Sequence, residues 1–129
     1  MTEIKVIIAG GRNFIPSIEA NMWLDRKLNA MKEIYDNVTI ISGGAKGADK
    51  FGEDKAKELG LHCIVYPAKW DIYGKTAGFK RNEQMAQIAN ACILFPGGNG
   101  TADMEKRAYK HNLIIYKYKE SDIGASISR

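Results

Sequence analysis

Proline, cysteine and long apolar runs are all scarce in this sequence. Its 129 residues hold three prolines and two cysteines. No apolar run approaches the roughly 20 residues that a membrane-spanning helix needs, and no charged-then-apolar leader opens the chain. Neither a membrane protein nor a secreted, disulfide-stapled one is expected. Cys63 and Cys92 each sit inside an apolar run (HCIVY, ACILF), which predicts buried, reduced thiols and a cytoplasmic compartment. Neither cysteine stands at metal-ligand spacing from a histidine, so no metal site is expected, and no cofactor is implied. With 45% hydrophobic and 26% charged residues, the chain has the composition of one ordinary folded domain.

What is present in excess is glycine and positive charge. The formal net charge is +4. Residues 1–64 carry nine basic and nine acidic side chains, whereas residues 65–129 carry ten and six, so the whole excess lies in the second half. Of the 13 glycines, eight fall in three clusters: Gly10 and Gly11; Gly43, Gly44 and Gly47; Gly97, Gly98 and Gly100. Such clusters mark tight turns or backbone that another group approaches closely.

Five β-branched-rich runs read as strands: 4–9, 38–42, 62–66, 91–95 and 113–118. They are nearly continuous in hydrophobicity, as expected of parallel strands covered on both faces. Helical stripes lie between them. Leu24, Leu28, Met31 and Tyr35 form one; Ala48, Phe51, Lys55 and Leu59 form a second, with Gly60 at its stop; Met85, Ile88 and Ala89 mark a third, and Met104 and Ala108 a fourth. The alternation predicts a three-layer α/β domain over residues 1–119 with a parallel sheet of about five strands. Residues 120–129 read as a polar tail.

All three glycine clusters directly follow a strand. They therefore belong at the carboxyl edge of the sheet, where open α/β folds bind ligands. Uncovered N–H groups and positive helix ends there attract phosphate or another anion. Two phosphate motifs are excluded. Counted from Gly43, the second glycine and the lysine of a P-loop would fall on Ala48 and Asp49; counted from Gly47, the lysine position holds Glu53. The dinucleotide fingerprint is also absent after the first strand, where the glycines are adjacent. The long connection 67–78 adds Lys69, Trp70, Tyr73 and Lys75, a cationic and aromatic set suited to covering a base, or to anchoring the loop itself. Arg81 falls on the inward stripe of the third helix at its edge-facing end, well placed for bidentate binding of a phosphate or carboxylate.

The strings AGGRNF, SGGAKGADKFGEDKAKELG, YPAKWDIYGKTAGFKRNEQM and FPGGNGTADM resemble the YspA-type, cpYpsA-related branch of the SLOG superfamily, which also holds the LOG phosphoribohydrolases and the DNA-processing protein DprA. The resemblance runs from about Lys5 to Tyr116. It implies a Rossmann-like fold with a pocket for nucleotides or nucleotide-derived molecules, and a homo-oligomer with its pocket at the interface. The LOG-type P-G-G-x-G-T motif is complete as Pro96, Gly97, Gly98, Asn99, Gly100 and Thr101. The glutamate that LOG enzymes use to cleave the base–ribose bond is replaced by Met104, while Arg81 keeps the arginine of the LOG R-K-x-x-M pattern.

The expected ligand site thus comprises Gly10, Gly11, Arg12, Asn13, Ser42, Gly43, Gly44, Lys46, Gly47, Asp49, Trp70, Tyr73, Arg81, Asn82 and Pro96 to Thr101. The ligand would be ADP-ribose-like, a nucleoside monophosphate or a cyclic nucleotide, bound by a sensor or sequestering protein. If a phosphoribohydrolase reaction operates, Asp103 and Arg81 are the candidates to support it, through stabilisation of an oxocarbenium-like state. A third class, single-stranded nucleic-acid binding, draws on the basic run Lys106, Arg107, Lys110, Lys117 and Lys119; the competing reading is a solvated helix face.

Overall fold

Val6, Ile7 and Ile8 are consecutive β-branched residues, and all three are fully buried. Only a strand covered on both faces accommodates such a run, and it occupies the centre of the sheet. The computed structural model describes residues 2–120. Its strands are β1 (Glu3–Ala9), β2 (Asn37–Ser42), β3 (His62–Val65), β4 (Ala91–Leu94) and β5 (Ile114–Lys117). Every pairing is parallel, and the order across the sheet is β3-β2-β1-β4-β5. The three-layer α/β architecture and its five-stranded parallel sheet match the sequence expectation. The expected tail lies, Glu120 apart, outside the described residues.

Side chains alternate across β1. Ile4, Val6 and Ile8 join Leu24, Leu28 and Met31 of helix α1 (Ile18–Ile34) and Phe51 and Ala56 of α2 (Ala48–Leu59). Ile7 and Ala9 face the opposite way, toward Met85 and Ala86 of α4 (Ala77–Ile88) and Met104 and Ala108 of α5 (Asn99–Lys110). Gly60 ends α2 in a left-handed conformation (φ 70°), as a C-terminal glycine commonly does. Lys55, on the inward stripe of α2, is 3% exposed and pairs with Asp25 of α1 at 2.8 Å.

Three expectations are corrected. The edge strand β3 is not covered on both faces: every one of its residues is exposed, since it pairs only with β2 at the margin of the sheet, beyond the main core. Cys63 lies on that strand and is exposed, whereas Cys92, on β4, is buried; burial pushes its thiol up to about 12. The connection 67–78 is not an irregular loop. It folds into a one-turn helix α3 (Trp70–Tyr73) and a 3-10 turn (Gly74–Thr76) that runs into α4.

Among the described residues, no helix is long and apolar enough to cross a membrane.

Candidate functional site

The sheet order reverses direction between β1 and β4. Chain connections leave β1 toward β2 on one side and reach β4 on the other, which opens a crevice outside their carboxyl ends. The first and third glycine clusters meet there, with the Gly11 N–H donating to the Pro96 carbonyl at 2.9 Å. The Gly11 carbonyl accepts from the Phe14 and Ala48 N–H groups, so this residue's backbone is committed within the protein. Below the junction, Phe95 packs against Phe14, Trp23, Phe51 and Tyr118 with ring centroids 4.9–5.6 Å apart. These aromatic contacts seat the loops on the core.

The glycines divide by what surrounds them. A Cβ at Gly10 would sit 2.7 Å from Ala48 Cβ, and one at Gly11 would sit 3.0 Å from the Pro96 carbonyl. At Gly47 (φ 72°) it would strike the Gly11 carbonyl, and at Gly97 the Thr101 hydroxyl. At Gly43 it would meet Arg81 and Asp49, and at Gly44 (φ 75°) it would meet Val65. These six allow the loops to pack on one another. Gly98 and Gly100 face open space.

Of the helices that begin at this edge, α2 and α5 open directly from glycine clusters and start without side-chain caps: Gly47 precedes α2, whose Ala48 N–H is taken by the Gly11 carbonyl, and Gly98 precedes α5. By contrast, Ser17 caps α1 through the Ala20 N–H. First-turn N–H groups lack intrahelical partners, and the helix dipole adds positive potential at the same point. Both favour an anion.

A cavity of about 420 Å³ occupies the crevice. Gly10, Gly11, Arg12, Gly98, Gly100 and Thr101 line its loop side; Trp70, Arg81, Asn82 and Asp49 come from the expected set as well. Lys75, from the cationic and aromatic set of the connection 67–78, lies at its rim with Phe79, and Met85 and Met104, which the sequence placed only on core stripes, complete an apolar wall. Asn13, Gly43, Gly44 and Lys46 line an adjoining cavity of about 480 Å³, which shares Arg12, Ala45, Trp70 and Arg81 with the first. Pro96 and Gly97 line a smaller one of about 210 Å³ behind the start of α5.

Arg81 projects from α4 and donates through Nη1 to the Gly43 carbonyl. Its Nε donates to Asn82 Oδ1 at 3.2 Å. Burial lowers its pKa, and the nearby Asp49 carboxylate opposes that shift; a guanidinium stays charged regardless. Asp49 is 7% exposed, accepts the Ala45 N–H at 3.1 Å, and has its pKa raised by burial.

Asp103 has other partners. Its carboxylate accepts from Arg107 Nε at 2.8 Å and from Asn82 Nδ2 at 3.0 Å, and it lines neither of the two large cavities. Asn82 also donates to the Gly100 carbonyl, so it braces the third loop against α4. Ser42 is buried, donates to Glu53 at 2.6 Å and accepts the Gly44 N–H. Tyr73 lies under Lys80, whose Nζ is 4.9 Å from the ring centroid; neither it nor Asn99 lines the two large cavities.

The basic run after residue 105 is largely neutralised at short range. Arg107 pairs with Glu83 and Asp103, Lys110 with Glu83, and Lys117 with Glu105.

The Gene 61 protein of Mycobacterium phage D29 is 26% identical over 122 residues, covering 88% of this chain and 95% of that protein. No solved structure matches the chain. The profile of the YspA, cpYpsA-related SLOG family matches residues 4–73, from β1 through α3, including the first two glycine clusters. The chain belongs to the YspA, cpYpsA-related SLOG family.

Proposed function

We propose that this protein binds a nucleotide or nucleotide-derived small molecule at the carboxyl edge of β1 and β4, as a cytoplasmic sensor or sequestering protein. Arg81 carries the reading. Its guanidinium is part-buried in the wall of two adjoining cavities, and among the described residues no carboxylate lies within ion-pair distance of it. A part-buried charge without a contact ion pair, with only the more distant Asp49 carboxylate nearby, gains from an anionic ligand that binds it directly. The uncapped start of α5, with Gly98 and Gly100 open, provides N–H donors for the same phosphate. Membership of a SLOG family supports the nucleotide class.

Binding without turnover is favoured over cleavage of an N-glycosidic bond. Met104 stands in the cavity wall where LOG enzymes carry glutamate, and the neighbouring Asp103 is engaged by Arg107 and Asn82. A homo-oligomer remains part of the proposal. Ile15, Ile18 and Met22, more than half exposed near the start of α1, are apolar side chains that such a contact would cover.

The test is a thermal-shift screen with AMP, ADP-ribose, NAD and cyclic nucleotides, followed by chromatography of each mixture. The expected result is stabilisation by at least one nucleotide, recovered intact. Released base with ribose phosphate would establish the hydrolase instead, and no shift with any nucleotide would overturn the proposal.

A further inference from the structure

The cavities of about 420 and 480 Å³ are two lobes of one cleft. Each alone falls within the size range of small-molecule sites, roughly 300–1,000 Å³. They meet at Arg12, Ala45, Trp70 and Arg81, which line both. Among the described residues, neither Arg12 nor Arg81 has a carboxylate within ion-pair distance; two guanidinium groups stand at the junction against the single, more distant carboxylate of Asp49. The lobes differ in chemistry. Phe79, Met85 and Met104 give the first an apolar wall suited to a flat base. Asn13, Lys46 and the peptide groups of Gly43 and Gly44 give the second a polar one.

A mononucleotide in the first lobe would bring its phosphate to the junction and leave the polar lobe unfilled. We infer that the cleft takes a two-part ligand, a nucleoside diphosphate carrying a sugar: base in the Phe79–Met104 lobe, diphosphate between Arg12 and Arg81, and polyol in the Asn13–Lys46 lobe. This rests on the nucleotide reading above and specifies what lies beyond the phosphate. The hydroxyls of the second group would exchange water for Asn13, Lys46 and backbone partners. Arg12 and Arg81, which both line the junction, would supply the positive charge that holds the diphosphate.

Isothermal titration with ADP, ADP-ribose, UDP and UDP-glucose tests it. The readout is the ratio of each nucleoside diphosphate's Kd to that of its sugar-bearing partner. In the parent protein a ratio of ten or more is expected in at least one series. Ala68→Leu, which adds bulk at a residue lining the polar lobe, and Lys46→Ala, which leaves the backbone as it is, should each lower that ratio toward one. A ratio near one in both series, with the nucleoside diphosphates binding, would overturn the two-lobe assignment and leave nucleotide binding intact. A parent ratio that neither variant changes would also overturn it. Failure of all four probes to bind would overturn the nucleotide reading itself.

Discussion

Gly47 and Gly100 belong to equally glycine-rich loops, yet substitution should affect them in opposite ways. Gly47 has φ 72° and faces the Gly11 carbonyl, so a Cβ is strained twice, by conformation and by overlap. Gly47→Ala is expected to cost about 2 kcal/mol or more and to lower the melting temperature by several degrees. Gly100 lies in the first turn of α5 with open space around it. Gly100→Ala should keep or raise stability, by up to about 1 kcal/mol, while its methyl group intrudes on the ligand cavity and weakens binding. Calorimetry on both variants, with and without nucleotide, separates a packing glycine from a ligand-facing one. The sequence could not make that distinction, because the atoms that crowd Gly47 come from a loop some 35 residues away. Asp103 illustrates the same limit in part. Its i, i+4 relation to Arg107 was readable as a surface pair, but the second partner, Asn82, comes from α4 and is found only by folding.

At the scale of elements, α4 and α5 are joined by a polar seam as well as by Met85 and Met104. Glu83 of α4 receives Arg107 at 3.0 Å, His111 at 2.7 Å and Lys110 at 3.6 Å, all from α5 or its end. The His111 bond, opposed by burial and assisted by Arg107, holds the Glu83 carboxyl down to about 2, against its ordinary 4.5. The folded value is the lower one, so this contribution is complete above about pH 4.5 and is lost as pH falls through about 2. Glu83→Gln should therefore melt below the parent at pH 5, with the two curves converging between pH 4.5 and 2. A constant offset across that window would show that the seam does not act through this carboxylate. The elements themselves were largely legible. Five apolar runs and four helical stripes gave strands to within a residue at most ends, since continuous β-branched segments have few alternatives. The connection 67–78 was not, because its helical turns are too short for periodicity to register. Nor were the open faces of β3, since hydrophobicity along a strand does not say which edge it occupies.

For the whole molecule, the position of the site follows from strand order. Reversal at β1 and β4 opens the crevice, the packed glycines hold its loops together, and the uncapped start of α5 with Arg12 and Arg81 favours an anion there. The net charge of +4 therefore acts through placement. Arg12, Lys46, Lys75 and Arg81 line the cleft, while much of the basic surface beyond residue 105 is matched by Glu83, Asp103 and Glu105. The most direct test of that division is an amide ¹H–¹⁵N titration of the intact protein with ADP. Shifts concentrated at residues 10–13, 43–46 and 98–101, with the Arg81 side chain, are predicted. Shifts that instead track Lys106, Lys110 and Lys117, or that spare the three loops, would contradict the account.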